Sequence, residues 1–342
     1  MKARVNRKVL RTAAGLLTVL VLFLGGALLR FLWEEASFPQ REGESVPPST
    51  EEDGGALLLY EGTWYEPRTD VETVLVLGLD RSEQEEIGTT GEYAQSDLIL
   101  LLELDRTEET CRVIHLNRDT MASLQDFDRY GRPNGTYMAQ LTLAYAHAQA
   151  YTGNDITACQ AAVKAVSELL YGVRIDHYIT LTMDGLMKLN DLVGGVEVEI
   201  TDNFSAVDPA LVQGRRVNLM GEHALAYVRA RWYVGENTNL ERMERQRTYL
   251  LALLEKLSSQ EEQDEDFITS ALAEVNAYMA SDCTVQQLSG LMEDIRAYRL
   301  ERYVSPKGEA ELVGDVMGFY VDEDALQRLV IQDFYAPVEE PS

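Results

Sequence analysis

The chain has 342 residues, room for one large domain or one domain with an appendage, and 57 acidic residues against 30 basic ones give a formal net charge of −27. So acidic a balance excludes nucleic-acid binding, which needs a basic face to neutralise phosphates. Three cysteines and four histidines (His115, His147, His177, His223), scattered without metal-ligand spacing, form neither a zinc pattern nor a legible disulfide framework.

The first 33 residues differ sharply from the rest. Lys2, Arg4, Arg7, Lys8 and Arg11 precede 18 uncharged residues, 12–29. At about 1.5 Å per residue these make about 27 Å of helix, near the hydrocarbon thickness of a bilayer. Arg30 interrupts, but Phe31, Leu32 and Trp33 resume the apolar character, and Trp33 suits an interfacial belt. A cleaved signal peptide ending near Gly25-Gly26-Ala27 is the rival reading, and the apolar continuation favours an uncleaved anchor. The basic flank then places residues 1–11 in the cytoplasm, the span at 12–33, and everything after it outside. Beyond residue 33 the chain holds 24 basic and 57 acidic residues, a net of −33. Residues 34–55 are rich in Glu, Pro, Ser and Gly and predict a flexible stalk.

Order is expected from residue 56, with a tight turn at Glu61-Gly62. Three apolar runs follow, at 74–79, 98–104 and 111–116, and each touches charge at one edge: Asp80 after the first, Ser96-Asp97 before the second, Asn117-Arg118-Asp119 after the third. The polar link 105–110 predicts a hairpin, so the second and third runs are expected to be antiparallel neighbours. If the first pairs likewise, Asp80, Asp97 and Arg118 emerge at one end of the sheet, where two carboxylates and a guanidinium can hold a divalent cation and an anionic oxygen ligand. Three strand ends capped by polar residues would give the same pattern. Runs apolar on both faces imply helices on both sides of the sheet.

Helices are predicted at 140–151 and 156–171, a strand at 174–183, a short helix at 184–193, a strand at 196–200, and helices at 222–228 and 240–257. The charge run 260–266 predicts a solvated loop, followed by helices at 267–279 and 285–298, an extended stretch at 302–317 and a last helix at 323–330. The fold class is α/β, a mixed central sheet with helices on both faces, preceded by one transmembrane helix. Cys111 and Cys159 fall in a strand and a helix as small core residues.

An acidic outer domain concentrates its few cations between Arg229 and Arg247. Arg229 and Arg231 share a side only if the chain is extended there, whereas Arg242 and Gln246 share a helix face with Arg245 beside them. A solvated, salt-bridged helix is the plain reading. Arginine forks, however, match phosphate geometry better than lysine does, and with the acid pair they suggest a polyanionic ligand such as a pyrophosphate. The chain carries no Gly-x-Ser-x-Gly elbow, Walker loop, His-Glu-x-x-His or dinucleotide fingerprint.

In ordered succession, Val74-Leu-Val-Leu-Gly-Leu-Asp80, Ser96-Asp97, Asn117-Arg-Asp-Thr120, Asp191-Leu-Val-Gly-Gly-Val196, Gly221-Glu-His-Ala-Leu-Ala-Tyr-Val-Arg-Ala-Arg231 and Arg242-Met-Glu-Arg-Gln-Arg247 resemble the LytR-CpsA-Psr family of membrane-anchored cell-envelope phosphotransferases, found mainly in Gram-positive bacteria. Similarity runs over about 71–257. The resemblance implies a catalytic domain over 56–257, with 258–342 a helical or mixed flank packed on it. It implies an enzyme that takes a glycopolymer (teichoic acid, capsule or similar) from a polyprenyl-pyrophosphate carrier and joins it to peptidoglycan by a phosphodiester. Asp80 and Asp97 would hold Mg²⁺ or Mn²⁺; Arg118, Arg229, Arg231, Arg242 and Arg245 would bind phosphate oxygens, with Gln246 a supporting donor. Asp119 would either orient Arg118 or accept the sugar hydroxyl proton. A slot for the polyprenyl tail could be lined from 141–151 and 156–170, residues that serve equally as ordinary core. The chain departs from the family pattern at Gln95, where an arginine is usual, at Asn117 in place of a frequent proline, and at Thr142, where asparagine is common. Two other roles are open: a non-catalytic sensor or scaffold for polyprenyl phosphates, and a transcriptional attenuator. The acid pair weighs against the first; the second lacks a cytoplasmic DNA-reading module.

Overall fold

The computed structural model describes residues 57–81, 94–261, 263–264, 266–314 and 316–339. The basic tail, span and stalk expected at 1–55 lie outside these residues. Among the described residues no helix is long and apolar enough to cross a membrane.

The three apolar runs become β3 (Val71–Leu79), β4 (Ser96–Asp105) and β5 (Thr110–His115), after a small hairpin of β1 (Leu58–Tyr60) and β2 (Thr63–Pro67). β4 and β5 are antiparallel neighbours as expected, and β3 pairs antiparallel with β4, so Asp80, Asp97 and Arg118 leave the sheet at one end. The β4–β5 turn is closed by Asp105 Oδ1, which accepts from Thr107 N at 3.0 Å and Glu108 N at 2.9 Å.

A hairpin of β6 (Met121–Phe127) and β7 (Pro133–Gln140) follows, unforeseen because most of β7 is exposed and polar and carries no apolar alternation. Gln140, expected to start a helix, ends β7 instead. The helices α1 (Leu143–Thr152) and α2 (Asp155–Leu169) pack through Tyr145, Ala158, Cys159, Ala162, Ala165 and Val166 onto one face of the sheet. Alanine at the contact positions of α2 lets its backbone lie close to the strands.

β8 (His177–Thr182) returns parallel to β3, and α3 (Met183–Leu192), β9 (Val196–Glu199), β10 (Arg216–Leu219) and α4 (Glu222–Arg229) build a second apolar cluster around Phe204 and Tyr227. α5 (Asn239–Glu261) runs one turn past the predicted end, into the charge run. After α6 (Phe267–Val275), the rest of the predicted helix is a 3₁₀ turn and then β11 (Met279–Ser281), followed by α7 (Val285–Ala297). The stretch expected to be extended resolves into β12 (Arg299–Val304) and the hairpin β13 (Gly308–Val313)–β14 (Val316–Val321); α8 (Glu323–Phe334) and β15 (Tyr335–Val338) close the chain.

The central sheet has the order β11-β8-β3-β4-β5-β12 and is mixed, with helices on both faces. Leu257 marks no break in it: β11 and β12 are its two edge strands, and α7 covers the face opposite α1 and α2 through Leu291 and Ile295.

Candidate functional site

At the end of the sheet where β3 stops, one register irregularity aims the key acid. Gly78 pairs with Leu98 and Leu79 with Ser96, which leaves Asp97 as the extra residue of a β-bulge. Strict alternation would put Asp97 on the α1/α2 face with Ile99 and Leu101. The bulge turns it to the opposite face with Leu98, while Asp80 follows Val76 and Gly78 to that face by alternation.

Guanidiniums meet these acids there. Asp97 Oδ1 accepts from Arg118 Nη1, and its Oδ2 lies 3.1 Å from Arg242 Nη1. Arg229 Nη2 lies 2.6 Å from Asp80 Oδ1. Asp119 sits between Arg118 Nε at 3.4 Å and Arg231 Nη1 at 3.6 Å, and also accepts from Gln140 Nε2 at 3.1 Å. The helix α4 ends at Arg229 and Ala230 is extended (ψ 125°), so Arg229 and Arg231 splay onto two different acids of one cluster. Sequence distance hid this convergence: Asp97 and Arg242 are 145 positions apart.

Four guanidiniums thus face three carboxylates. Burial strips hydration from Arg118 and Arg242, and neighbouring guanidiniums (Arg242 and Arg231 beside Arg118, Arg231 and Arg245 beside Arg242) add repulsion, pushing both down to about 10. They stay cationic at neutral pH, but Nε of Arg118, Arg231 and Arg242 is buried with no hydrogen-bond acceptor. A desolvated cation surplus with donors to spare is a receptor for an anion.

Two predicted phosphate contacts are spent inside the protein. Arg245 is 3% exposed; it donates to the carbonyls of Tyr227 (3.2 Å) and Ala230, pairs with Asp202 at 2.9 Å and stacks over Phe204. It is a strut for the segment that carries Arg229 and Arg231. Gln246 likewise uses its amide nitrogen on the carbonyls of Asp97 (3.4 Å) and Val228 (3.3 Å), tying the bulge to α4.

Residues that seemed incidental in the sequence hold the cluster together. Asn117 Oδ1 accepts from Asn239 Nδ2 at 2.7 Å and from Asp119 N at 2.9 Å, and Asn239 Oδ1 in turn accepts from Arg242 at 2.5 Å. Gln95 Oε1 accepts from Arg118 Nη2, so the side chain standing where an arginine is usual orients a cation instead of adding one. Thr142 is fully buried and bonds Ser96 O through its hydroxyl at 3.0 Å. Asn117 stood out only as a departure from the family pattern; Asn239 and Asp202 carry no local signal.

Asp97, Arg229 and Gln246 also line a cavity of about 320 Å³ between the sheet and α5, α6 and α7. Its walls are otherwise almost wholly apolar, including Val76, Leu98, Leu250, Leu254, Met292 and Ile295. Walls of this kind favour hydrocarbon over a hydrated group. The segments 141–151 and 156–170 contribute nothing to it; they pack as core on the other face. At its wall Tyr303 Oη and Nδ1 of His115 are hydrogen-bonded at 2.9 Å, and burial with the nearby Arg242 charge holds His115 neutral, down to about 3.

A sequence profile of the LytR-CpsA-Psr family matches residues 57–329, most of the chain and beyond the stretch expected from the motifs. This chain belongs to the LytR-CpsA-Psr family. It is 29% identical over 227 residues, 66% of its length, to a protein of Halalkalibacterium halodurans named polyisoprenyl-teichoic acid–peptidoglycan teichoic acid transferase TagU, and 28% identical over 55% of its length to an Enterococcus faecalis protein of the same name. The LytR-CpsA-Psr chain spans 65% and 54% of those relatives' lengths. In structure it is similar to protein gbs0355 of Streptococcus agalactiae, with a TM-score of 0.63 at 22% identity over 78% of this chain and 88% of that one, a likeness of fold.

Proposed function

We propose that this LytR-CpsA-Psr protein is a membrane-anchored, extracellular phosphotransferase that moves a glycopolymer from a polyprenyl-pyrophosphate carrier to peptidoglycan. One observation carries the reading: a surplus of desolvated guanidiniums stands at the mouth of a hydrocarbon-lined cavity. A polyprenyl pyrophosphate is long and apolar at one end and polyanionic at the other, and the cavity and cluster divide the same way. The names of the two TagU relatives support teichoic acid as polymer and peptidoglycan as acceptor. The basic flank and apolar stretch 12–33 support the anchor, with residues 1–11 inside.

In the reaction, an acceptor sugar hydroxyl oxygen forms a bond to the phosphorus that carries the polymer. The bond from that phosphorus to the bridging oxygen breaks, and polyprenyl phosphate leaves with the electron pair. The hydroxyl proton passes to a base. Arg118, Arg231 and Arg242 bind the equatorial oxygens, where little covalent work is asked of the protein and charge neutralisation does most. Arg229 lies beside Asp80 at the cavity wall and suits the leaving phosphate. Asp119, held by Gln140 and two arginines, orients them.

The acids fit a hard divalent cation in donor chemistry: Asp80 and Asp97 offer carboxylate oxygens on one face, Asp80 neutralised by Arg229 and Asp97 by Arg118 and Arg242, arginines that a phosphate would draw away. They would hold Mg²⁺ or Mn²⁺, which supplies charge neutralisation for the departing polyprenyl phosphate.

The test incubates the purified chain with a polyprenyl-pyrophosphate-linked saccharide and a peptidoglycan fragment. Transfer is expected with Mg²⁺ or Mn²⁺ and not in chelator. Tight binding of the carrier lipid without turnover under any of these conditions would make the protein a scaffold.

A further inference from the structure

At the opposite end of the sheet from the cavity mouth, His177 opens β8, and Asp282 and Cys283 form the turn between β11 and α7. One potential ligand atom from each lies within 4.8 Å of the other two, the one such group of three among the described residues. We propose that His177, Asp282 and Cys283 bind a single zinc-class transition-metal ion, distinct from the hard cation read for Asp80 and Asp97.

The surroundings are those a bound ion needs. Nδ1 of His177 is buried without a hydrogen-bond partner and lies 3.6 Å from Asp282 Oδ2. Nε2, on the other side of the ring, lies 3.3 Å from Glu72 Oε1, so a carboxylate holds the imidazole with Nδ1 turned to the site. Glu72 is itself held by Arg106 Nε at 3.2 Å. Asp282 uses Oδ1 on Tyr178 N at 3.0 Å, which leaves Oδ2 for an ion. The turn is fixed by Ser281 Oγ, which accepts from Cys283 N at 3.0 Å and donates to Tyr178 O at 2.8 Å.

Bonds of about 2.0–2.3 Å in a tetrahedron set ligand atoms about 3.3–3.8 Å apart; His177 Nδ1 and Asp282 Oδ2, at 3.6 Å, already meet that spacing, and all three atoms lie within 4.8 Å. Ligand softness chooses the ion: thiolate and imidazole select zinc and its neighbours, whereas an all-carboxylate pair selects magnesium or manganese. A fourth position is left for water. The ion would tie the start of β8 to the turn that launches α7, the helix whose Leu288, Met292 and Ile295 line the cavity.

The experiment strips the purified full-length chain with chelator, dialyses it, and titrates Zn²⁺ against a chromophoric competitor, with Co²⁺ as a spectroscopic substitute. One zinc per chain is expected, with a thiolate-to-cobalt charge-transfer band. Cys283→Ser and His177→Gln should each weaken zinc at least about tenfold and Cys283→Ser should erase the band, while Glu72→Gln weakens zinc by about 10–100-fold. The double variant Asp80→Asn/Asp97→Asn should bind zinc as the parent does. Circular dichroism verifies folding of each variant. Failure to retain zinc, or parent-like affinity in both Cys283→Ser and His177→Gln, overturns the site. So does loss of zinc confined to the Asp80→Asn/Asp97→Asn variant, which would assign the ion to the mouth.

Discussion

The two ends of the central strands each bury arginines against carboxylates, with opposite results. At the mouth, four guanidiniums face three acids beside open space, and burial pushes Arg118 and Arg242 down. At the far end five acids, Glu103, Asp333, Asp105, Asp70 and Glu301, outnumber Arg112 (2.6 Å from Glu103), Arg68 and Arg302, and here the acids suffer: burial and the neighbouring Asp333 push Glu103 up to about 7. Glu103 Oε2 and Asp333 Oδ2 lack partners. The residue types are the same; the sign in surplus and the presence of a cavity separate a receptor from a clasp. The far clasp ties the edge strand β12 to β5 and α8 to β12.

The comparison breaks first at the mouth. Asp97→Asn should lower transfer by about 10²–10³-fold, the loss typical of one preorganised electrostatic group, with folding retained; steady-state turnover of variant and parent decides, and parent-like turnover removes Asp97 from the chemistry. Next, Leu250→Trp places bulk in the cavity. It should raise KM for a long polyprenyl donor about tenfold, equivalent to about 1.4 kcal/mol of lost apolar binding, and leave a short-chain donor little changed. Equal effects on both donors would mean that the tail lies elsewhere.

At the clasp, the pH dependence of stability has a definite sign. Glu103 binds its proton more tightly folded than unfolded, so its contribution is full below pH 4.5 and is lost as pH rises toward about 7. Denaturant unfolding across that window should show this decline in the parent and a flatter profile in Glu103→Gln, with turnover unaffected. A steeper profile in the variant would contradict a protonated acid there. Asn117→Ala removes the acceptor joining Asn239 to the Asp119 turn and should cost about 1–3 kcal/mol of stability by melting, with KM for the donor rising more than kcat falls. Gly78→Ala sharpens the same point sterically, since a Cβ there would lie 2.9 Å from the Leu98 Cβ beside the bulge; a cost of about 1–3 kcal/mol is expected.

Much of this was legible in the residues. The apolar runs between Val71 and His115 specify strands covered on both faces, and the hairpin at 105–110 with its flanking acids put Asp80, Asp97 and Arg118 at one end. The β6–β7 hairpin was not legible, because an exposed polar strand lacks the alternation that marks a half-buried one. Nor was the strand at Met279–Ser281, three residues whose pairing to β8 lies about 100 positions away.

The order of the helices, the α/β class and the family can be read from the residues, because periodicity and ordered motifs are local properties of a chain. Packing in three dimensions is what separates the arginines at the cavity mouth from those bonded within the protein, and what sets the face of the sheet that holds the cavity. Arg245 looked like its neighbour Arg242 until Asp202 and two carbonyls claimed its donors. Alternation says that a face is apolar, but not which helices will cover it or how closely. One extra residue in β4, invisible to any pattern, sets the direction of Asp97. Contacts made across a hundred positions are properties of packing, and only packing records them.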